Sequence, residues 1–239
     1  MLGYRFLHRY SQGDRNVTLL ISLVVLFVLY PVMLEFGAVR FYRLIFVGEL
    51  ILASLNLGTT QRHRRMAWML GSPAIILQIV AFSSPSRLSL LVAAISTQLF
   101  LIFVIVVVYR TVLAPGSVAV DKLAAAVNVY FLLGLAWAIA YGLIATFDHG
   151  AFSAATLDFQ TLEEYVDYGA EFVFVYFSFV TLTTLGYGDI LPVVPAAQTA
   201  AWMEAVVGQL FVAVTLARLV GMFGRDDSYR LPSGENDPD

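Results

Sequence analysis

The chain has 239 residues, 59% of them hydrophobic and 13% charged, with a net charge of −3 and a mean hydropathy of +0.80. A soluble domain of this size carries about 25% charged residues, so the composition is that of an integral membrane protein. The small net charge gives no ground for a nucleic-acid partner. The absence of cysteine rules out a disulfide framework, thiolate chemistry and any Cys-type metal site.

Residues 1–16 are polar and carry Arg5, Arg9 and Arg15. The first predicted span covers 17–34, with Pro31 placed to kink its end. It has the length of a full span and no cleavage site follows it, so it does not read as a signal peptide. A second apolar stretch, about 38–57, is interrupted by Arg40, Arg43 and Glu49. Gln61, Arg62, His63, Arg64 and Arg65 read as a basic loop before a short third span over about 66–82. A turn at 83–86 leads to the fourth span, 88–109, which contains no charge. Residues 17–110 thus form a four-helix region, followed by a linker over 111–122.

Residues 123–147 are the fifth span, and 196–223 the sixth. Between them, 148–167 reads as a polar loop that holds Asp148, Asp158, Glu163, Glu164 and Asp167 and no lysine or arginine. Phe172 to Leu182 is apolar but too short to cross about 30 Å of hydrocarbon at 1.5 Å per residue. It suits a re-entrant helix. A charged tail occupies 224–239. The expected fold is all-α: six transmembrane helices, one re-entrant pore helix and a filter loop, with 123–223 as the pore module.

That loop is Thr181-Leu182-Thr183-Thr184-Leu185-Gly186-Tyr187-Gly188-Asp189. Non-helical backbone at membrane depth is tolerated only where protein buries it or where it lines a watery path. If several copies meet on an axis, the carbonyls of Thr184, Leu185, Gly186 and Tyr187 and the Thr184 hydroxyl can replace the water shell of a cation. Gly186 and Gly188 supply the backbone freedom that aiming successive carbonyls one way requires. Tyr187 is expected to wedge against the preceding helix, where Tyr176 and Phe177 supply aromatic partners. The dipole of that helix presents its negative end to the ion.

The run Thr183-Thr184-Leu185-Gly186-Tyr187-Gly188-Asp189 resembles the selectivity filter of potassium channels, with Leu185 where valine is more usual. The resemblance extends over roughly 122–223. It implies a potassium-selective, passive channel with no cofactor other than K+ as the permeant ion, and Thr184 to Gly188 as the ion-binding residues. Thr183, Asp189, Tyr176 and Phe177 would support them. Tyr176 and Phe177 replace the frequent tryptophan pair, and Val180 stands where some members carry a glutamate. Gly208 matches the spacing of the family's gating hinge; close helix packing is the alternative reading. One filter loop cannot encircle an ion, so the expected assembly is a homotetramer in contact with membrane lipid.

Glu204 and Gln209 sit in the same apolar helix. Glu204 shares a face with Gly208 and either tunes the cavity or bonds to a neighbouring helix. Arg218, near the cytoplasmic end, reads as a snorkelling side chain. Arg40, Arg43 and Glu49 suit an ion pair or an interfacial anchor. His63 belongs to a solvated basic loop, with lipid binding a weaker reading, and Asp148-His149 makes no metal site. A voltage sensor needs arginines at three-residue spacing, and the fourth span has none between Arg87 and Arg110. Arginine placement puts both termini in the cytoplasm of a cell-membrane protein and the Asp189 end outside. Two alternatives stand beside this: a less selective cation channel, and a Gly-x-Gly-Asp intramembrane aspartyl protease. The protease requires a second aspartate inside a span.

Overall fold

The computed structural model describes residues 15–36, 38–56, 61–115, 120–154 and 170–228. Arg5, Arg9, Asp158, Glu163, Glu164 and Asp167 lie outside the described residues, as do the side chains of Arg40 and Arg43. The described elements are α1 (Arg15–Glu35), α2 (Val39–Asn56), α3 (Gln61–Ser83), α4 (Arg87–Leu113), α5 (Val120–Phe147), β1 (Phe152–Ala154), α6 (Ala170–Leu182), β2 (Ile190–Pro192) and α7 (Pro195–Ser228).

Among the described residues, five helices are long and apolar enough to cross a membrane: α1, α3, α4, α5 and α7. Helix α2 is not among them. Its apolar part runs only over Leu44–Leu55, because Arg40 and Arg43 fall in its first turns. The expected basic loop is also corrected, since α3 begins at Gln61 and carries Arg62, His63, Arg64 and Arg65 in its opening turns. Arginine is a good helix former, and nothing in that run breaks a helix. Inside the expected 148–167 loop, Phe152–Ala154 is a strand that pairs antiparallel with Ile190–Pro192. Three-residue strands are too short for a sequence period to reveal.

Helices α1 to α5 close into a ring. Each packs on the next in chain order, and α5 packs back on α1. Leu19, Leu23, Leu50, Phe100, Val104 and Val129 fill the interior. On α3 the buried residues Ala67, Gly71, Ala74, Gln78 and Ala81 recur every three or four positions, a small-residue stripe that lets neighbouring helices approach. Gln78 Nε2 donates to Thr97 Oγ1 of α4 at 3.1 Å, which satisfies two buried polar groups together.

Polar ties define the two ends of the ring. At one end, Asp121 at the start of α5 accepts both the backbone N–H and the side-chain amide of Asn16 at 3.0 and 2.7 Å. A carboxylate from another helix therefore meets an unpaired donor in the first turn of α1. Lys122 Nζ reaches the Ala114 carbonyl at 2.9 Å and Met222 Sδ at 3.7 Å, so α7 ends on this side too. At the other end, Arg87 donates to the Thr146 carbonyl at 2.7 Å.

Gly71 is the tightest point of the α3 stripe: a Cβ there would lie 2.5 Å from Ser54 Oγ and 3.1 Å from Phe100 Cε2. Gly71→Val is expected to destabilise the protein by about 1–3 kcal/mol through overpacking. Thermal unfolding of detergent-purified protein reads this, and an unchanged midpoint would contradict the packing described.

Candidate functional site

Helix α6 runs antiparallel to α5, and the two keep step. Ser178 Oγ lies 2.8 Å from the Gly134 carbonyl, and four residues on, the Leu182 carbonyl accepts Tyr130 Oη more loosely at 3.3 Å. Tyr130 lies ten residues from the start of α5, or about 15 Å along its axis. Helix α6 therefore enters from the Arg87–Thr146 end and stops partway through the bundle, as expected of a re-entrant helix.

Its last four carbonyls are all engaged. Phe179 accepts the Thr183 N–H and the Thr183 hydroxyl, at 3.1 and 2.6 Å. Thr181 accepts the Thr184 N–H at 2.9 Å, and Val180 accepts the N–H groups of both Leu185 and Gly186, at 2.9 and 3.2 Å. No peptide bond among the described residues is cis, and in a trans peptide the N–H and C=O point in opposite directions. Because the N–H groups of Thr184, Leu185 and Gly186 point back to α6, the carbonyls of Thr183, Thr184 and Leu185 point away from it. The segment from Thr183 to Asp189 is exposed on that side.

Backbone angles carry the same feature. Thr184, Gly186 and Gly188 have φ of 59°, 59° and 77°. Alternating left-handed and ordinary residues turns successive peptide groups to one side. Glycine accepts such angles freely. Threonine does not, so Thr184 stores strain of about 1–3 kcal/mol. The sequence reading assigned the special backbone to the glycines alone and missed Thr184.

Tyr176 is expected as an aromatic partner of Tyr187; its contact with the loop is through its hydroxyl, where Oη donates to Asp189 Oδ2 at 2.6 Å. Asp189 Oδ1 accepts the Ile190 N–H at 3.1 Å. Phe177 does not back Tyr187. It is buried against Tyr141 and Phe152, with ring centroids 4.9 and 5.5 Å away, because the α6 face carrying Phe174, Phe177 and Ser178 is the one that packs on α5. Tyr187 is 66% exposed, with no wedge formed inside the single chain.

On α7, Gly208 packs against the end of α6: a Cβ there would fall 2.7 Å from the Leu182 carbonyl and 2.8 Å from Leu182 Cδ1. Glu204 is fully buried. Oε2 accepts Tyr141 Oη at 2.5 Å, and Oε1 lies 2.5 Å from Ser178 Oγ. Of its two expected roles, the bond to neighbouring helices is the one observed. Gln209 is exposed. Arg218, expected to snorkel, donates to the Leu113 carbonyl at 3.1 Å at the end of α4. Glu49 accepts from Ser22 of α1 at 3.0 Å. Asp148 Oδ1 accepts the Gly150 N–H at 2.9 Å in a turn, and among the described residues no cluster of three or more His, Cys, Asp or Glu could hold a metal. Sequence reasoning missed Ser178, Tyr141, Tyr130 and Gly134. The visible signal was Ser178, a small polar residue within an aromatic run.

Long apolar helices packed around a shorter apolar helix and a strained exposed loop are the features of a multi-pass membrane protein. Residues 129–225 match the sequence model of a family described as "Ion channel". No curated protein and no solved structure matches the chain. The family match points to a channel and away from an enzyme. Nor does the site favour the protease reading, since among the described residues Asp189 is held by Tyr176 and Ile190 and faces no second aspartate.

Gly134 seats α6: a Cβ there would meet three atoms of the Phe179 ring at 2.6 to 3.0 Å. Gly134→Ala is expected to cost about 1–3 kcal/mol, and Phe179→Leu in the same chain to recover most of that loss. Thermal unfolding of the single and double variants tests the contact; equal loss in both would remove it.

Proposed function

We propose that the protein is a potassium-selective channel: four copies surround an axis, and K+ passes through carbonyls donated by Thr184 to Gly188 of each. The observation that carries this reading is the direction of the loop backbone. The N–H groups of Thr184, Leu185 and Gly186 turn to α6, the carbonyls of Thr183, Thr184 and Leu185 turn away from it, and one chain supplies too few oxygens to enclose an ion. Further copies complete the coordination shell, and the same assembly gives Tyr187 its packing partner. Conduction is passive, and Gly208 is the point at which α7 bends to open the pore. The missing arginine ladder in α4 leaves gating to a stimulus other than a voltage-sensor helix.

The topology we propose has six crossings. The start of α1 and the end of α7 gather at one end of the bundle, through Asn16–Asp121 and Lys122–Met222. An even number of crossings returns the chain to its starting side, which asks α2 to cross as well. Its 18 residues reach about 27 Å. Arg15, Arg62, Arg64, Arg65, Arg110, Lys122 and Arg218 collect at that end, which supports reading it as cytoplasmic by the positive-inside rule, with Asp189 outside in the cell membrane. Exposed apolar side chains such as Ile21, Val28, Ile95 and Leu99 then meet lipid.

Purified protein in liposomes is expected to pass K+ at least about tenfold faster than Na+. Gly186→Ala, which forces a side chain onto a φ of 59°, is expected to abolish that preference without changing the assembled mass. Native mass spectrometry is expected to show four 26.3 kDa chains. Equal K+ and Na+ fluxes in the unaltered protein, or a monomeric mass, would refute the proposal.

A further inference from the structure

Glu204 is the one acidic side chain in the apolar part of α7, and it does not face open space. It is 0% exposed, whereas its neighbours Trp202, Met203, Val206 and Val207 are 37% to 59% exposed. An acidic group inside a membrane is costly and needs partners. Here both partners are hydroxyls on other elements, Tyr141 of α5 and Ser178 of α6, each 2.5 Å away. Tyr141 is itself fully buried, held edge-on by Phe177 and Phe152.

Register adds a second observation. Glu204 meets Ser178, and four residues later Gly208 meets Leu182 at the end of the same helix. Helices α6 and α7 run side by side in step over one full turn. Above Gly208, α7 is tied to the pore helix by a side-chain bond. At Gly208 it touches the backbone carbonyl from which the filter loop departs. Below Gly208, most of the side chains as far as Val220 are exposed within the chain.

We propose that Glu204 is a positioning residue that ties the pore helix, and through it the filter backbone, to the upper half of α7. The tie divides α7 at Gly208 into an upper part joined to the pore helix and a lower part joined instead to α4 and α5, through Phe211, Arg218 and Met222. The filter can then keep its geometry independently of movements of the inner end. This rests on the channel reading for its role in conduction, although the tie itself is independent of ion selectivity. It acts through hydrogen-bond geometry. Ser178 has one hydroxyl proton and two acceptors within reach, Glu204 Oε1 and the Gly134 carbonyl at 2.8 Å. A glutamine at 204 preserves the arrangement: its oxygen accepts from Tyr141, its amide donates to Ser178, and Ser178 donates to Gly134.

Two readings test the tie in the full-length protein, purified and placed in liposomes: amide hydrogen exchange by peptide, and the ratio of K+ to Na+ flux. Glu204→Ala is expected to speed exchange across residues 179–186 by about tenfold, the loss of one or two buried hydrogen bonds, with peptides from α3 and α4 unchanged. The same variant is expected to lower the flux ratio by about as much. Glu204→Gln is expected to stay within about twofold of the unaltered protein in both readings. If Glu204→Ala does not assemble, Tyr141→Phe and Ser178→Ala each remove one bond and are expected to give a smaller, local rise in exchange. Unchanged exchange at 179–186, a rise spread evenly over the chain, or equal loss in the alanine and glutamine variants would overturn the tie. Equal K+ and Na+ fluxes in the unaltered protein would instead refute the channel reading, and the exchange data would still decide the tie.

Discussion

Two amide protons share one acceptor at the heart of this structure: the N–H groups of Leu185 and Gly186 both point to the carbonyl of Val180. A helix that stops inside a membrane leaves four carbonyls without partners, and lipid supplies none. The loop after α6 meets that demand with its own N–H groups and with the Thr183 hydroxyl. Planar trans peptides then fix the other consequence: the N–H groups that Thr184, Leu185 and Gly186 spend on the helix turn the carbonyls of Thr183, Thr184 and Leu185 away from it. The left-handed angle at Thr184 is the strain that accompanies this arrangement. The loop's outward oxygens are therefore the complement of a helix terminus being satisfied.

Everything that holds α6 in place bears on those oxygens. Helix α5 does most of it: Gly134 opens a seat for Phe179, Tyr130 reaches the last carbonyl, and Tyr141 packs on Phe177 and Phe152. The same helix closes the ring of α1 to α4. A disturbance in the amino-terminal helices thus has a packed route to the pore helix, whereas a four-helix region joined only by a linker would have none. The antiparallel pair β1–β2 pins the far end of the loop, and Tyr176 braces Asp189 beside it.

At the opposite end, the carbonyls of Leu113 and Ala114, where α4 stops, receive Arg218 of α7 and Lys122 of α5. Cations at a helix C-terminus are favourable both as hydrogen-bond donors and against the helix dipole. Arg218 consequently connects the lower half of α7 to the amino-terminal ring. With Glu204 holding the upper half, α7 is attached on both sides of Gly208.

The amino-acid sequence by itself was enough for the class of the protein, the re-entrant length of α6 and the special backbone at Gly186 and Gly188. These depend on composition, on the length of an apolar run and on the torsional freedom of glycine, all of which are local. It was not enough for Phe177, Tyr187, Glu204, Arg218 or the two short strands. An aromatic ring near a loop can turn to either side of its helix, and the packing of α5 chose the side for Phe177. A carboxylate in an apolar helix reveals that it needs a partner but not which one. Tyr141 and Ser178, 63 and 26 residues away, became its partners only when three helices came together. Thr184 marks the same boundary: nothing in its own preferences calls for a left-handed angle, and only the hydrogen bonds closing α6 force one.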